Sequence, residues 1–257
     1  MTVRWSDLAW PDLKERLRAE TVVFVPCGAI EQHGPHLPLE VDAFIARALS
    51  EAVATEVGGL VVPTLSYGYR SMPKSGGGPG FPGTLNLQGA TLADLLRDVL
   101  LDLARHGVRR VCVIDAHYEN QWMLTEGIEQ AIRLPAAAEM RVMRLEYWDF
   151  VTDELLAQIF PDGFPGIALE HAAVLETSLM MHLDPARVRV DRIPDNPPAE
   201  FPPYDIFPAA PDWVPSTGAL TSAKAATAEK GELLFAHYVT AIAAAVRREF
   251  PAAGPSG

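Results

Sequence analysis

Two triplets of opposite order carry the chemistry of this chain: Glu31-Gln-His33 and His117-Tyr-Glu119. Each sets one imidazole and one carboxylate a residue apart. Each follows an apolar run that reads as a strand, residues 22–26 before the first and 111–114 before the second. In extended chain, side chains at i and i+2 share a face, so each triplet can offer two ligand groups to one place. Asp42, nine residues past His33, adds a third carboxylate. Two neutral nitrogens and three carboxylates suit two divalent cations sharing a bridging carboxylate. Zinc accepts such mixed ligands, and manganese tolerates more oxygen. The chemistry of such a pair is hydrolysis or something close to it. Either triplet alone reads as well as polar residues in a surface loop. Their recurrence at matching strand ends carries the inference.

Other residues fall around this group. Glu170-His171 opens a helix expected at residues 170–183. A helix N-terminus favours neutral imidazole and a nearby carboxylate the charged form. Together they would let His171 titrate near neutrality, as an acid/base residue requires. Ser75, in a glycine-rich loop, could hydrogen-bond a substrate. That loop is no Walker A loop, because no Gly-Lys-Ser/Thr follows. Tyr118 lies between two candidate ligands, and Trp148 follows a strand end where it could wall a pocket. Cys27 reads as a small buried residue rather than a nucleophile. His106, His182 and His237 sit in helices without a carboxylate at ligand spacing and read as structural or surface residues.

The elements that must position these groups alternate. Helices are expected at residues 6–18 with Ser6 as N-cap, 42–56, 91–106 with Thr91 as cap, 120–132, 170–183 and 223–250. Strands are expected at 21–26, 60–63, 111–114 and 140–147. This is an α/β pattern with a mainly parallel sheet and helices on both faces. Ligands of such sheets bind beyond the carboxyl ends of the strands, where both triplets and Trp148 fall. Residues 66–90 form a long glycine-rich loop, of the kind that is usually functional when a domain is compact. Residues 194–216 hold many prolines and read as an extended surface arm. The expected organisation is one domain over residues 1–250 and a fraying tail at 251–257.

Composition narrows the partners. The net charge of −12 disfavours nucleic acid and anionic membranes, which call for basic patches. No apolar run approaches the ~18 residues of a membrane span, and the first residues do not read as a signal peptide. With two cysteines in strand-like surroundings, a cytoplasmic setting without disulfides is the expectation.

Nearly the whole chain resembles the creatininase family of metal-dependent amidohydrolases. The matching strings are Gly28-Ala-Ile-Glu-Gln-His-Gly34, Asp42, Lys74-Ser-Gly-Gly-Gly78, Phe81-Pro-Gly-Thr84, Gly89-Ala-Thr91, His117-Tyr-Glu-Asn120, Tyr147-Trp-Asp-Phe150, Glu170-His171, Glu176-Thr-Ser178, Phe201-Pro-Pro-Tyr-Asp-Ile-Phe-Pro208 and Thr221-Ser-Ala-Lys224. The resemblance implies two divalent metals, zinc with manganese as an alternative in one site. One would be held by Glu31, Asp42 and His117, the other by His33, Asp42 and Glu119. It implies attack of an activated water on a ring amide carbonyl, with His171 moving the proton alongside Glu119 and Glu170. Ser75, Tyr118 and Trp148 would hold a small-molecule amide, creatinine being the best single candidate. A homohexamer is also implied. Hydrolysis of another cyclic amide or imide, of a linear amide, or a non-catalytic metal-dependent assembly role stay open.

One departure bears on substrate. Where the creatinine enzymes of the family carry Trp and Asp, this chain has Ile167 and Ala168. Losing a buried charge-assisted contact costs on the order of 1.5–3 kcal/mol. A more apolar ring fits these two residues better.

Overall fold

Residues 22–27 are branched or apolar in nearly every place, and they form a strand buried on both faces. The computed structural model describes residues 2–251. Four parallel strands, β1 (Val22–Cys27), β2 (Leu60–Val61), β3 (Arg110–Asp115) and β4 (Arg141–Glu146), lie in the order β2-β1-β3-β4. Val23 pairs with Leu60 on one side and with Val111 on the other. Alternation along the strands sorts the core into two layers. Phe24, Cys112 and Ile114 pack with helices α2 (Val41–Val57), α6 (Val174–Leu183) and α7 (Ala228–Glu249). Val23, Val25, Val111 and Val113 pack under α3 (Gly89–Arg105) and α4 (Asn120–Ile132). Two short helices, α1 (Trp10–Arg16) and α5 (Asp153–Ile159), complete the regular elements.

The chain leaves β1 toward β2 on one side, then crosses to β3 on the other. The switch of direction therefore lies between the carboxyl ends of β1 and β3, which is where open α/β sheets bind ligands. The two triplets follow these two ends. None of the described helices is long and apolar enough to cross a membrane. Both cysteines are buried and unpaired with each other.

The expected elements depart from the structure at their starts. The first helix begins at Trp10, after a separate turn at Trp5–Asp7, because Pro11 lacks an amide and cannot sit in the interior of a helix running from Ser6. Helix α3 starts at Gly89, so Thr91 is inside it rather than its cap. Helix α7 starts at Ala228, where Thr227 accepts a hydrogen bond from Lys230 N at 3.2 Å. The helix expected from residue 170 starts at Val174, because Ala172 has φ +54° and breaks the run. Helix α5 was not foreseen, although Thr152 caps it and Asp153 and Glu154 occupy its first turn. Residues 194–216 carry one short turn, Pro211–Trp213, and are otherwise irregular. Of the tail expected at 251–257, only Pro251 lies within the described residues.

Candidate active site

The loop after β1 can reach helix α2 only because it begins with glycine. A Cβ on Gly28 would lie 2.4 Å from the Ala43 amide nitrogen and 2.6 Å from the Asp42 carbonyl carbon. That close approach sets Glu31 and His33 against Asp42, in the first turn of α2. The three are 1–2% exposed, and His117, just past β3, is 4% exposed.

The two imidazoles follow one rule. His33 Nδ1 lies 3.1 Å from the Glu31 carbonyl oxygen, and His117 Nε2 lies 2.7 Å from the Tyr69 carbonyl oxygen. A carbonyl only accepts, so these nitrogens carry the protons and donate. The other nitrogen of each ring is turned on carboxylates. His33 Nε2 faces Asp42 Oδ1 at 2.9 Å and Glu176 Oε2 at 3.7 Å, without the alignment of a hydrogen bond. His117 Nδ1 lies at hydrogen-bond distance from Asp42 Oδ2, 3.1 Å, and faces Glu31 Oε2 at 3.2 Å. Lone pairs turned on carboxylate oxygens repel unless a proton or a cation lies between. An imidazole tied to a backbone carbonyl through its far nitrogen is the usual posture of a metal ligand. Burial opposes the charged form of both rings, yet Asp42 and Glu176 raise His33, and Glu31, Asp42 and Glu119 raise His117, well above the ordinary histidine range. The same field that attracts a proton attracts a divalent cation.

Potential ligand atoms of Glu31, Asp42 and His117 lie within 4.8 Å of one another, and so do those of His33, Asp42 and Glu176. Asp42 belongs to both triads, one oxygen toward each imidazole. The donor set therefore fits two divalent cations. Glu176, on the first turn of α6, had no role in the sequence reading beyond membership of a matching string. Glu119 had been expected beside His33. Its carboxylate lies instead on the far nitrogen of His117, at 3.5 Å from Nε2. The polypeptide turns into α4 immediately after it, which carries it away from His33. Glu119 Oε1 accepts from Ser75 Oγ and from Met72 N at 2.9 Å, while Oε2 is buried without a partner. Burial pushes this carboxyl up to about 7. Ser75 thus lines the cavity with its hydroxyl engaged on Glu119.

His171 is not at a helix N-terminus. It lies between the short turn Ile167–Leu169 and α6, with its ring centroid 4.4 Å from that of His33. Burial and the neighbouring His33 lower its pKa below the ordinary value. Gly76, at φ +119°, passes so near that a Cβ there would be 2.5 Å from His171 Nε2. Gln32 was overlooked because strand alternation points it away from its neighbours. In the loop its Nε2 donates to the carbonyls of Gly76 and Gly218 at 2.9 Å each and lies 2.9 Å from His171 Nε2. Glu170 is 4% exposed, and its Oε2 accepts from Leu175 N at 2.8 Å, so it secures the start of α6. Burial raises this carboxyl to about 8.

A cavity of about 600 Å³ opens from this cluster. Its lining brings together every candidate residue except His33, including Tyr118, Trp148, Ile167 and Ala168. Tyr118 stacks on Trp148 at 6.2 Å. Asp205 and Phe207 reach the cavity from the proline-rich arm, and Asp205 pairs with Lys74 at 3.2 Å. The arm lies at the surface, as expected, and its composition does not say that it folds back over the cavity.

Comparison with known proteins agrees with this geometry. The family described as creatininase, creatinine amidohydrolase, matches residues 6–246. Creatinine amidohydrolase of Pseudomonas putida is 46% identical over 251 residues, 96% of each chain. The mycofactocin precursor peptide peptidase of Mycolicibacterium smegmatis is 31% identical, over 90% of this chain and 86% of that one. A solved mutant creatininase of zinc–zinc type superposes with a TM-score of 0.96 at 45% identity, and a manganese creatininase with 0.96 at 46%. Each comparison covers 98% of this chain and 100% of the other.

Proposed function

The chain belongs to the creatininase family, and on that premise we propose that it is a two-metal amidohydrolase opening a small cyclic amide, creatinine to creatine. One observation carries the proposal: two backbone-tied imidazoles face opposite oxygens of a single buried aspartate. Glu31, Asp42 and His117 would hold one divalent cation and His33, Asp42 and Glu176 the other. The mixed donor set suits zinc, and relatives of equal similarity are of zinc–zinc and manganese type. A cation pair so held supplies a water of lowered pKa and a Lewis acid for the carbonyl.

The protein groups supply the proton path. Hydrolysis joins the water oxygen to the ring carbonyl carbon, breaks that carbon's bond to the ring nitrogen, and moves one proton to that nitrogen. Glu119, buried with its Oε2 unpartnered, is placed to accept the water proton. Ser75 and Met72 N hold its other oxygen. His171, kept by Gln32 and Gly76, stands beside the cluster to relay the proton taken up by Glu119 to the leaving nitrogen, so that both groups end as they began. Tyr118 and Trp148 form a flat wall for a planar ring. Glu170 acts through α6, on whose first turn Glu176 sits.

The homohexamer implied by the family resemblance, the cytoplasmic setting expected from cysteine usage, and one catalytic domain over residues 1–250 belong to the same proposal. Light scattering on the purified chain checks the assembly. The decisive experiment is turnover of creatinine by the zinc-loaded protein, followed as creatine formed. Expected is turnover that Glu119→Gln reduces by about 10²–10⁴-fold. Absence of turnover with creatinine and with every other cyclic amide tried would sink the reading.

A further inference from the structure

Exposure grades the cavity from floor to mouth. Its floor is the carboxylate and imidazole cluster, at 1–4% exposure. Its mouth is apolar: Ile167 is 36% exposed, Trp122 69% and Phe207 78%, with Met123 and Ala168 also in the lining. Away from the cluster, the charged lining residues are Lys74 and Asp205, and they neutralise one another. Large apolar surfaces left open around one cavity mark a place for an apolar ligand. The volume points the same way, since about 600 Å³ suits a drug-sized molecule rather than a ring of about eight non-hydrogen atoms.

We propose that this mouth is a substrate subsite for an apolar, ring-sized substituent, so that the chain prefers cyclic amides bulkier than creatinine. The inference rests on the ring-opening reading above. The reacting carbonyl is held at the floor, and the far side of the ring therefore faces outward, toward Ile167 and Trp122. Ile167 and Ala168 leave that direction open. A Trp at position 167 would fill it, and a carboxylate at 168 would demand a polar partner there. The arm closes the remaining side with Phe207. The substituent would thus be enclosed by side chains from α4, from the turn Ile167–Leu169 and from the proline-rich arm.

The test compares creatinine with two probes, one bearing a benzyl group on the ring carbon beside the carbonyl, the other on the exocyclic nitrogen. Wild type and Ile167→Trp are both zinc-loaded. Burying a phenyl-sized group supports at least about tenfold in kcat/KM. Expected is a tenfold or greater preference of wild type for one benzyl probe, reduced about tenfold or more by Ile167→Trp. Calorimetric binding to the Glu119→Gln protein reads the same preference without turnover. It should show the benzyl probe binding about tenfold tighter than creatinine, and Ile167→Trp should abolish the difference. If creatinine is opened and neither benzyl probe is preferred in rate or binding, the subsite is refuted while the ring-opening function stands. If no ring is opened or bound, both fall.

Discussion

The floor and the mouth of the cavity are built on opposite principles. At the floor, Glu31, His33, Asp42 and His117 are buried, charged or polar, and mutually opposed, and each is held by backbone atoms or by its neighbour. At the mouth, Ile167, Trp122 and Phe207 are apolar, exposed and tied to little. The floor comes from strand ends of the sheet and the first turns of two helices. The mouth comes from a short turn, the start of α4 and an irregular arm. The difference teaches that reaction and selection are separable here. Chemistry needs ligand atoms placed to fractions of an ångström, so it sits on the rigid core. Selection tolerates looser walls, so it sits on segments that can vary without disturbing the sheet.

Substitutions at the two levels should therefore fail in different ways. The largest effect is expected of Asp42→Asn, which weakens both triads at once. Metal analysis should fall below one zinc per chain and turnover to that of the metal-stripped protein. A variant that keeps two zincs would break the bridging assignment. Glu119→Gln comes next, with kcat lowered by about 10²–10⁴-fold and two zincs retained. Loss of one zinc would return Glu119 to the ligand role first expected of it. Gln32→Ala should lower kcat about 10- to 100-fold, as removal of a group that orients an active residue does, with KM changed much less. Its lost hydrogen bonds to the Gly76 and Gly218 carbonyls should cost about 1–3 kcal/mol, seen in thermal unfolding. The smallest effect belongs to the mouth. Trp122→Ala should alter creatinine kcat/KM by about threefold or less, consistent with the small worth of a partly exposed contact. A large kcat loss there would join mouth and floor into one unit.

Much of the fold was legible. Strands β1 and β3 read as continuous branched runs because both their faces are buried, and α4 was placed at its observed bounds by helical periodicity. Helix starts were less legible, since capping depends on geometry that propensity does not carry. The break at Ala172 had no local signal, because alanine is a good helix former. It is imposed where Glu176 Oε2 accepts from the Ala172 amide at 2.6 Å. At the site, Glu31, His33, Asp42 and His117 were legible because two strand ends and one helix start bring them to a single rim. Glu119 was expected beside His33 and lies near His117 instead, and Glu176 was given no role, for one reason. Spacing says that a carboxylate is near a histidine, and not which nitrogen of the ring it meets.

The sequence by itself determined the reaction class. Two mirrored triplets and one aspartate, placed after strand ends, contain the ligand chemistry of a metal pair, and local spacing suffices to bring Glu31 and His33 together. The tertiary structure alone decided which carboxylate completes the second triad, what holds His171, and what lines the mouth. Those contacts join residues far apart in the chain, Gln32 to Gly218 and Lys74 to Asp205 among them. Packing of the helices against the sheet brings such pairs together, and no periodicity within either segment encodes it.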